Sequence, residues 1–263
     1  MEVLIQPDET AADELVARLM MDTVRRHPRA VLGLATGRTM EPVYKAMVEA
    51  HAQGEVDFAA CSTFNLDEYI GLTPDHPASY RTFMNQNLFD HVNIPIERTR
   101  LPNGVADDID RECVAYEAAI VAAGGIDLQL LGIGHDGHIG FNEPLSSLGS
   151  RTRSKALTPD TIARNAFAFA NEAEVPHRAI TMGVGTILDS RWCLMLVKGA
   201  SKAAILAKAV EGPVTSMVTA SALQLHPRCT IVVDEAAATE LDGCDYYRWI
   251  WENEPEWAPY RSG

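Results

Sequence analysis

The chain has 263 residues, 47% hydrophobic and 22% charged, a usage that suits a folded protein with a large core and excludes a disordered one. Its formal charge is −14, from 22 basic and 36 acidic residues, which argues against nucleic acid or an anionic membrane as partner; basic residues gather only at Arg151, Arg153 and Lys155. No stretch reaches 18 consecutive apolar residues, the N-terminus lacks the features of a secretory leader, and the five cysteines (61, 113, 193, 229 and 244) form no Cys-x-x-Cys pair, so a cytoplasmic protein with reduced, structural thiols is expected.

In chain order, Val3–Ile5 reads as a first strand and Ala11–Arg26 as an amphipathic helix ending before Pro28. Ala30–Leu34 reads as a buried strand, followed by the small turn Ala35-Thr-Gly-Arg-Thr39 and a helix from Glu41 to Gln53. Ala60–Leu66 is a further strand leading into a loop through Ala78, and Tyr80–Phe89 and Ile109–Ala123 read as helices. After Gly124-Gly125 comes the strongest strand signal, Ile126–Ile133; Trp192–Val197 and Cys229–Val233 follow, separated by a helix over Lys202–Val210. Alternation of this kind predicts an α/β fold: an open, doubly wound, mostly parallel, Rossmann-like sheet with helices on both faces. No repeat or linker divides the chain, so a single domain over 1–263 is expected. Residues 144–176 are polar with an aromatic patch at Phe167 and Phe169, carry no strong strand signal, and are expected to form a lid. The tail from Tyr246 is rich in aromatics and is expected to dock on this subunit or a neighbour.

Open α/β sheets bind ligands where the strands' C-terminal ends meet their loops, and three such loops carry chemistry. In the first, Ala35–Thr39, a glycine-containing turn opens a helix and suits an anion, although it lacks nucleotide P-loop spacing and a plain strand-to-helix turn would use the same residues. The second, Phe64–Tyr69, sets Asp67 beside Glu68; two carboxylates at a strand end serve catalysis, helix capping or solvation. The third, Leu131–Pro144, formally contains Gly-x-Gly-x-x-Gly at 132, 134 and 137, but the dinucleotide reading needs a helix directly afterwards and Pro144 arrives within seven residues. What this loop does offer is His135, Asp136, His138 and Glu143. A carboxylate on one imidazole nitrogen fixes the tautomer and raises basicity at the other, which suits proton transfer near neutral pH. A zinc site or a purely structural loop are the competing uses of the same residues.

These stretches resemble the glucosamine-6-phosphate deaminases, also called isomerases. The resemblance rests on Leu32-Gly-Leu-Ala-Thr-Gly37, Thr63-Phe-Asn-Leu-Asp-Glu-Tyr-Ile-Gly-Leu72, His76-Pro-x-Ser-Tyr80 and Gly132-Ile-Gly-His-Asp-Gly-His-Ile-Gly-Phe-Asn-Glu-Pro144. Ser150-Arg-Thr-Arg153, Gly183-Val-Gly-Thr186, Gly199-x-x-Lys202 and Gln224-Leu-His-Pro227 continue it over nearly the whole chain. It implies conversion of an amino-sugar phosphate, glucosamine 6-phosphate, to fructose 6-phosphate and ammonia, with no metal and no organic cofactor. His138, oriented by Asp136 and Glu143, is implied in ring opening, and Asp67 in moving a proton from C2 toward C1. Thr36, Gly37, Arg38, Thr39 and Lys202 fall where the phosphate is held. Ser146, Arg153 and Lys155 match an allosteric site for N-acetylglucosamine 6-phosphate between subunits, and a homo-oligomer, often a hexamer, is implied.

Three positions depart from the family pattern. Arg38 replaces a small residue in the phosphate turn, with Met40 where proline is usual, and Phe167 stands where the lid normally carries an arginine. Either Arg38 supplies the missing phosphate clamp, which is the expectation preferred here, or it crowds the turn and the substrate is a different amino sugar. Two rivals on the same fold are a 6-phosphogluconolactonase-like hydrolase and a sugar-phosphate sensor domain; the sensor would carry a basic DNA-binding extension that this chain lacks.

Overall fold

The structure, a computed structural model, describes residues 1–261. The first half comprises β1 (Glu2–Gln6), α1 (Glu9–Arg26), β2 (Val31–Leu34), α2 (Glu41–Ala52), β3 (Ser62–Asn65), β4 (Asp67–Tyr69), α3 (Tyr80–Asn87), β5 (Thr99–Arg100), α4 (Ile109–Ala122) and β6 (Leu128–Leu131). The second half comprises β7 (Arg153–Ala156), α5 (Pro159–Asn165), β8 (Arg178–Thr181), α6 (Val184–Leu188), β9 (Cys193–Val197), α7 (Ala203–Val210), β10 (Cys229–Asp234), α8 (Cys244–Asn253) and α9 (Ala258–Arg261). Several helices begin on side-chain caps: Asp8 accepts from the Ala11 amide at 2.8 Å, Ser79 from Thr82 at 3.1 Å and Asp108 from Arg111 at 2.9 Å.

Seven strands form the main sheet in the order β1-β10-β9-β6-β2-β3-β5, with every neighbouring pair parallel. Strands covered on both faces carry unbroken apolar runs, and Leu4, Leu32, Leu128, Leu130, Leu194, Met195 and Val232 are fully buried in the core. From β2 the chain winds outward through β3 to β5, then returns to the other side of β2 and continues through β6, β9 and β10. That reversal leaves a crevice at the C-terminal ends of β2 and β6, the two strands that carry the first and third loops.

A second, antiparallel sheet of order β4-β8-β7 sits beside the first. The segment expected to be a lid without strands is therefore partly sheet, since Arg153–Ala156 pair with Arg178–Thr181. Its helix α5 starts at the Thr158 cap, where Oγ1 accepts from the Thr161 amide at 3.2 Å. The aromatic tail docks on its own subunit. Trp257 and Tyr260 are buried, the Tyr260 hydroxyl donates to Asp22 at 2.8 Å, and Arg18 donates to the Pro259 carbonyl at 2.8 Å. Tyr246 and Trp249 stack on each other at the surface. No helix among the described residues is long and apolar enough to cross a membrane.

Candidate active site

The crevice holds a cavity of about 270 Å³ to which all three loops contribute. In the turn after β2, the Tyr44 hydroxyl donates to the Ala35 carbonyl at 2.5 Å and anchors the backbone, while Thr36, Gly37, Thr39 and Met40 line the cavity. Arg38 is not among the lining residues. Its guanidinium lies 3.9 Å above the ring of Phe167, and both side chains belong to the wall of a neighbouring cavity of about 160 Å³. Lys202 leads into α7 and reaches the main cavity, its Nζ donating to the Ile133 carbonyl at 2.9 Å. Burial, then the nearby Arg164 guanidinium, hold its ammonium below the ordinary lysine value.

Successive side chains on a strand point to opposite faces, and β4 uses this to separate its two acids. Glu68 turns away from the cavity, and its buried carboxylate accepts from the amides of Tyr80 at 3.1 Å and Arg81 at 3.0 Å, capping α3. Asp67 points into the cavity and is 6% exposed. Burial, then the Glu68 charge, push its carboxyl up to about 8, with His138 pulling the other way and, among the described residues, no hydrogen bond to hold the anion. A carboxyl in that condition lacks a permanent partner and has a proton affinity close to working pH.

The loop after β6 folds back on itself, the Gly134 amide donating to the His138 carbonyl at 2.8 Å. The imidazole of His138 lies flat against Gly134, where an added Cβ would come within 2.3 Å of Nε2. Gly140, at φ 57°, lets the chain pass Asp67: a Cβ there would sit 2.9 Å from Thr181 Oγ1 and 3.3 Å from Asp67 Oδ2. Asp136 Oδ1 approaches His138 Nδ1 at 2.6 Å and Glu143 Oε2 approaches the same nitrogen at 3.4 Å, both off the N–H direction, so they act as close ion pairs more than as aligned hydrogen bonds. Burial opposes a charged imidazole, but contact with Asp136 and Glu143 outweighs it and raises His138 to about 9. The same contact lowers both acids against the cost of burial, Asp136 to about 2. His138 is thus an imidazolium at neutral pH, with Nε2 left for the cavity. The donor atoms of Asp136, His138 and Glu143 lie within 4.8 Å of one another, close enough for a divalent ion to bridge if the imidazole were neutral.

Glu143 is held from the lid. Its Oε1 accepts from Thr161 Oγ1 at 2.6 Å and from Thr158 Oγ1 at 3.3 Å. These threonines, together with Tyr80, Arg164 and Asn165 on the cavity wall, are residues that sequence reasoning missed. The Thr158-x-x-Thr161 spacing signals a helix cap, but nothing local shows that both hydroxyls reach a carboxylate fifteen or more positions away. His135 also lines the cavity. Ser146 and Arg153 both attach to the Asn142–Glu143 stretch, the Ser146 amide donating to the Glu143 carbonyl at 3.0 Å and Arg153 Nη1 to Asn142 Oδ1 at 2.9 Å; Lys155 lies two residues along β7 and is half-buried.

Residues 8–232 match the family described as glucosamine-6-phosphate isomerases/6-phosphogluconolactonase. The chain is 51% identical over 250 residues to a glucosamine-6-phosphate deaminase of Hahella chejuensis, covering 95% of each protein. It is 49% identical over 258 residues to one of Streptomyces coelicolor, covering 98% of this chain and 99% of that protein. Among solved structures it is similar to a monomeric glucosamine-6-phosphate deaminase, with a TM-score of 0.89 at 42% identity over 91% of this chain and all of the other. A 6-phosphogluconolactonase from Trypanosoma cruzi shares the fold at a TM-score of 0.74 and 18% identity, over 92% of this chain and 97% of the other. On the match over residues 8–232 and these full-length relatives, the chain belongs to the glucosamine-6-phosphate isomerase/6-phosphogluconolactonase family.

Proposed function

We propose that this chain isomerises and deaminates glucosamine 6-phosphate, giving fructose 6-phosphate and ammonia. The observation that carries the reading is the pairing, on one cavity wall, of an unsupported carboxyl whose pKa lies near 8 with an imidazolium held by two acids. A lactone hydrolase has use for the imidazole but none for a second, buried base at the sugar's C2.

His138, charged through Asp136 and Glu143, donates a proton to the ring oxygen and takes up the proton of the C1 hydroxyl as the hemiacetal opens to the aldehyde. Asp67, once ionised, removes the proton from C2 of the open chain while His138 gives a proton to the aldehyde oxygen, forming a C1–C2 enolamine, and Asp67 then returns a proton to C1. The C2 imine that results takes up water, the carbinolamine expels ammonia, and the C2 ketone is left. The substrate's own amine and carbonyl accept and return the electron pair, so the chemistry calls for no cofactor. A positioned acid and a positioned base each contribute on the order of 10²–10⁴ in rate.

The wider reading is one catalytic domain over 1–263, acting in the cytoplasm as a homo-oligomer, with N-acetylglucosamine 6-phosphate as effector at Ser146, Arg153 and Lys155. Ser146 Oγ and Arg153 Nη2, both buried without a hydrogen-bond partner, support a second anion site there. The test of the main reading is ammonia release from glucosamine, galactosamine and mannosamine 6-phosphates, with and without the effector. Turnover of the glucosamine compound alone, with equimolar fructose 6-phosphate, is expected; fructose 6-phosphate without ammonia, or no turnover of any of the three, contradicts it.

A further inference from the structure

We propose that Arg164, on lid helix α5, is the arginine that binds the substrate's phosphate. This deepens the reading above and rests on it for the identity of the substrate. The cavity wall carries two permanently cationic side chains, Lys202 and Arg164. Their charges act on the same space: burial, then Arg164, lower the proton affinity of Lys202, and burial, then Lys202 and Arg164, lower that of His135. Asp67, by contrast, responds to Glu68 and His138. The cavity wall therefore carries a cationic pair as well as the proton-transfer groups, and Gly37 and Thr39 of the turn also line it. Two like charges held toward one space in a protein of net charge −14 are satisfied by an anion of more than one negative charge.

Arg164 is free to serve it. Among the described residues its one ion pair runs from Nε to Asp160 at 2.7 Å on the same helix, with both side chains at least half exposed, a weak surface pair that leaves Nη1 and Nη2 available for a bidentate contact. The other arginine near the turn is not placed for this. Arg38 is stacked on Phe167 in the adjoining cavity. Phe167 lies three residues beyond Arg164, one turn along the lid, so the lid presents its guanidinium to the substrate cavity from one turn and covers Arg38 with a ring from the next.

The test compares wild type with Arg164→Gln and Arg164→Lys by steady-state kinetics on glucosamine 6-phosphate and by calorimetric titration with inorganic phosphate. Arg164→Gln is expected to raise KM and the phosphate Kd together by roughly 10- to 100-fold, with kcat changed less than about threefold. Arg164→Lys keeps the charge but loses the fork and should recover part of the phosphate affinity. Unchanged KM and phosphate Kd in Arg164→Gln overturn the proposal, as does loss of phosphate affinity in Arg38→Gln without loss in Arg164→Gln. Phosphate titration does not depend on turnover, so failure of the wild type to release ammonia would refute the proposed reaction while leaving the role of Arg164 measurable.

Discussion

Thr161 Oγ1 donates to Glu143 Oε1 at 2.6 Å, so the lid helix holds one of the two carboxylates that face His138. The helix that walls the cavity and the charge on the imidazole are therefore linked through Glu143. Thr161→Val keeps the shape of the side chain and removes the hydrogen bond. We predict that kcat falls about tenfold through poorer placement of Glu143, while loss of one hydrogen bond costs about 1 kcal/mol and moves Tm by roughly 2–4 °C. Kinetics and thermal denaturation on the same sample check both, and an unchanged kcat would separate the lid from the chemistry.

The pH profile follows from two raised groups. The base must be ionised, so kcat/KM rises as Asp67 loses its proton near pH 8, and the acid must be charged, so it falls again above about 9 as His138 loses its proton. The stability linkage has the same sign for both. The favourable contribution of protonated Asp67 is complete below 3.8 and is lost as pH rises through about 8; that of His138 is complete below 6.5 and is lost as pH rises through about 9. The ligand-free protein should therefore lose Tm between about pH 4 and 9, and Asp67→Asn should lose less of it between about pH 4 and 8. An optimum below pH 6 would mean that Asp67 is not the limiting base.

Gly134 gives a purely steric test. A methyl group there collides with the His138 ring, whose Nδ1 faces Asp136 and Glu143. Gly134→Ala should reduce kcat by on the order of 10²-fold through the displaced acid while the protein still folds. Near-normal turnover in this variant would show that the position of the imidazole is not critical.

Glu68 separates stability from chemistry on the same strand. Glu68→Gln removes a buried carboxylate from the start of α3, where it accepts from two helix amides. A loss of about 1–2 kcal/mol is expected from the weaker cap. It also removes a charge that raises Asp67, so the ascending limb of the pH profile should move to lower pH. Denaturant melts and the profile read these two effects independently.

The parallel sheet was legible from sequence because most of its strands, buried on both faces, are dominated by apolar residues: β1, β2, β6, β9 and β10, and the more polar β3, fall within a few residues of their expected bounds. The small sheet was not. Strands β4, β7 and β8 are three or four residues long and largely polar, and they become strands only through antiparallel pairing with distant segments, β4 with β8 across more than a hundred positions of chain. The site was legible where chemistry is local, as in Asp136, His138 and Glu143 on one loop. It was illegible where two distant segments meet, as with Thr161 on Glu143 and Arg38 beneath Phe167. The division of labour between Asp67 and Glu68 follows from strand alternation, but which of them faces the cavity depends on where α3 packs.

The proton carried between C1 and C2 is the step on which the account turns, and the most direct measurement is ammonia release by Asp67→Asn on glucosamine 6-phosphate. Asparagine keeps the size of the side chain and cannot take the C2 proton, so kcat should fall on the order of 10²–10⁴-fold with KM little changed. Turnover within a few-fold of wild type would mean that another group moves the proton.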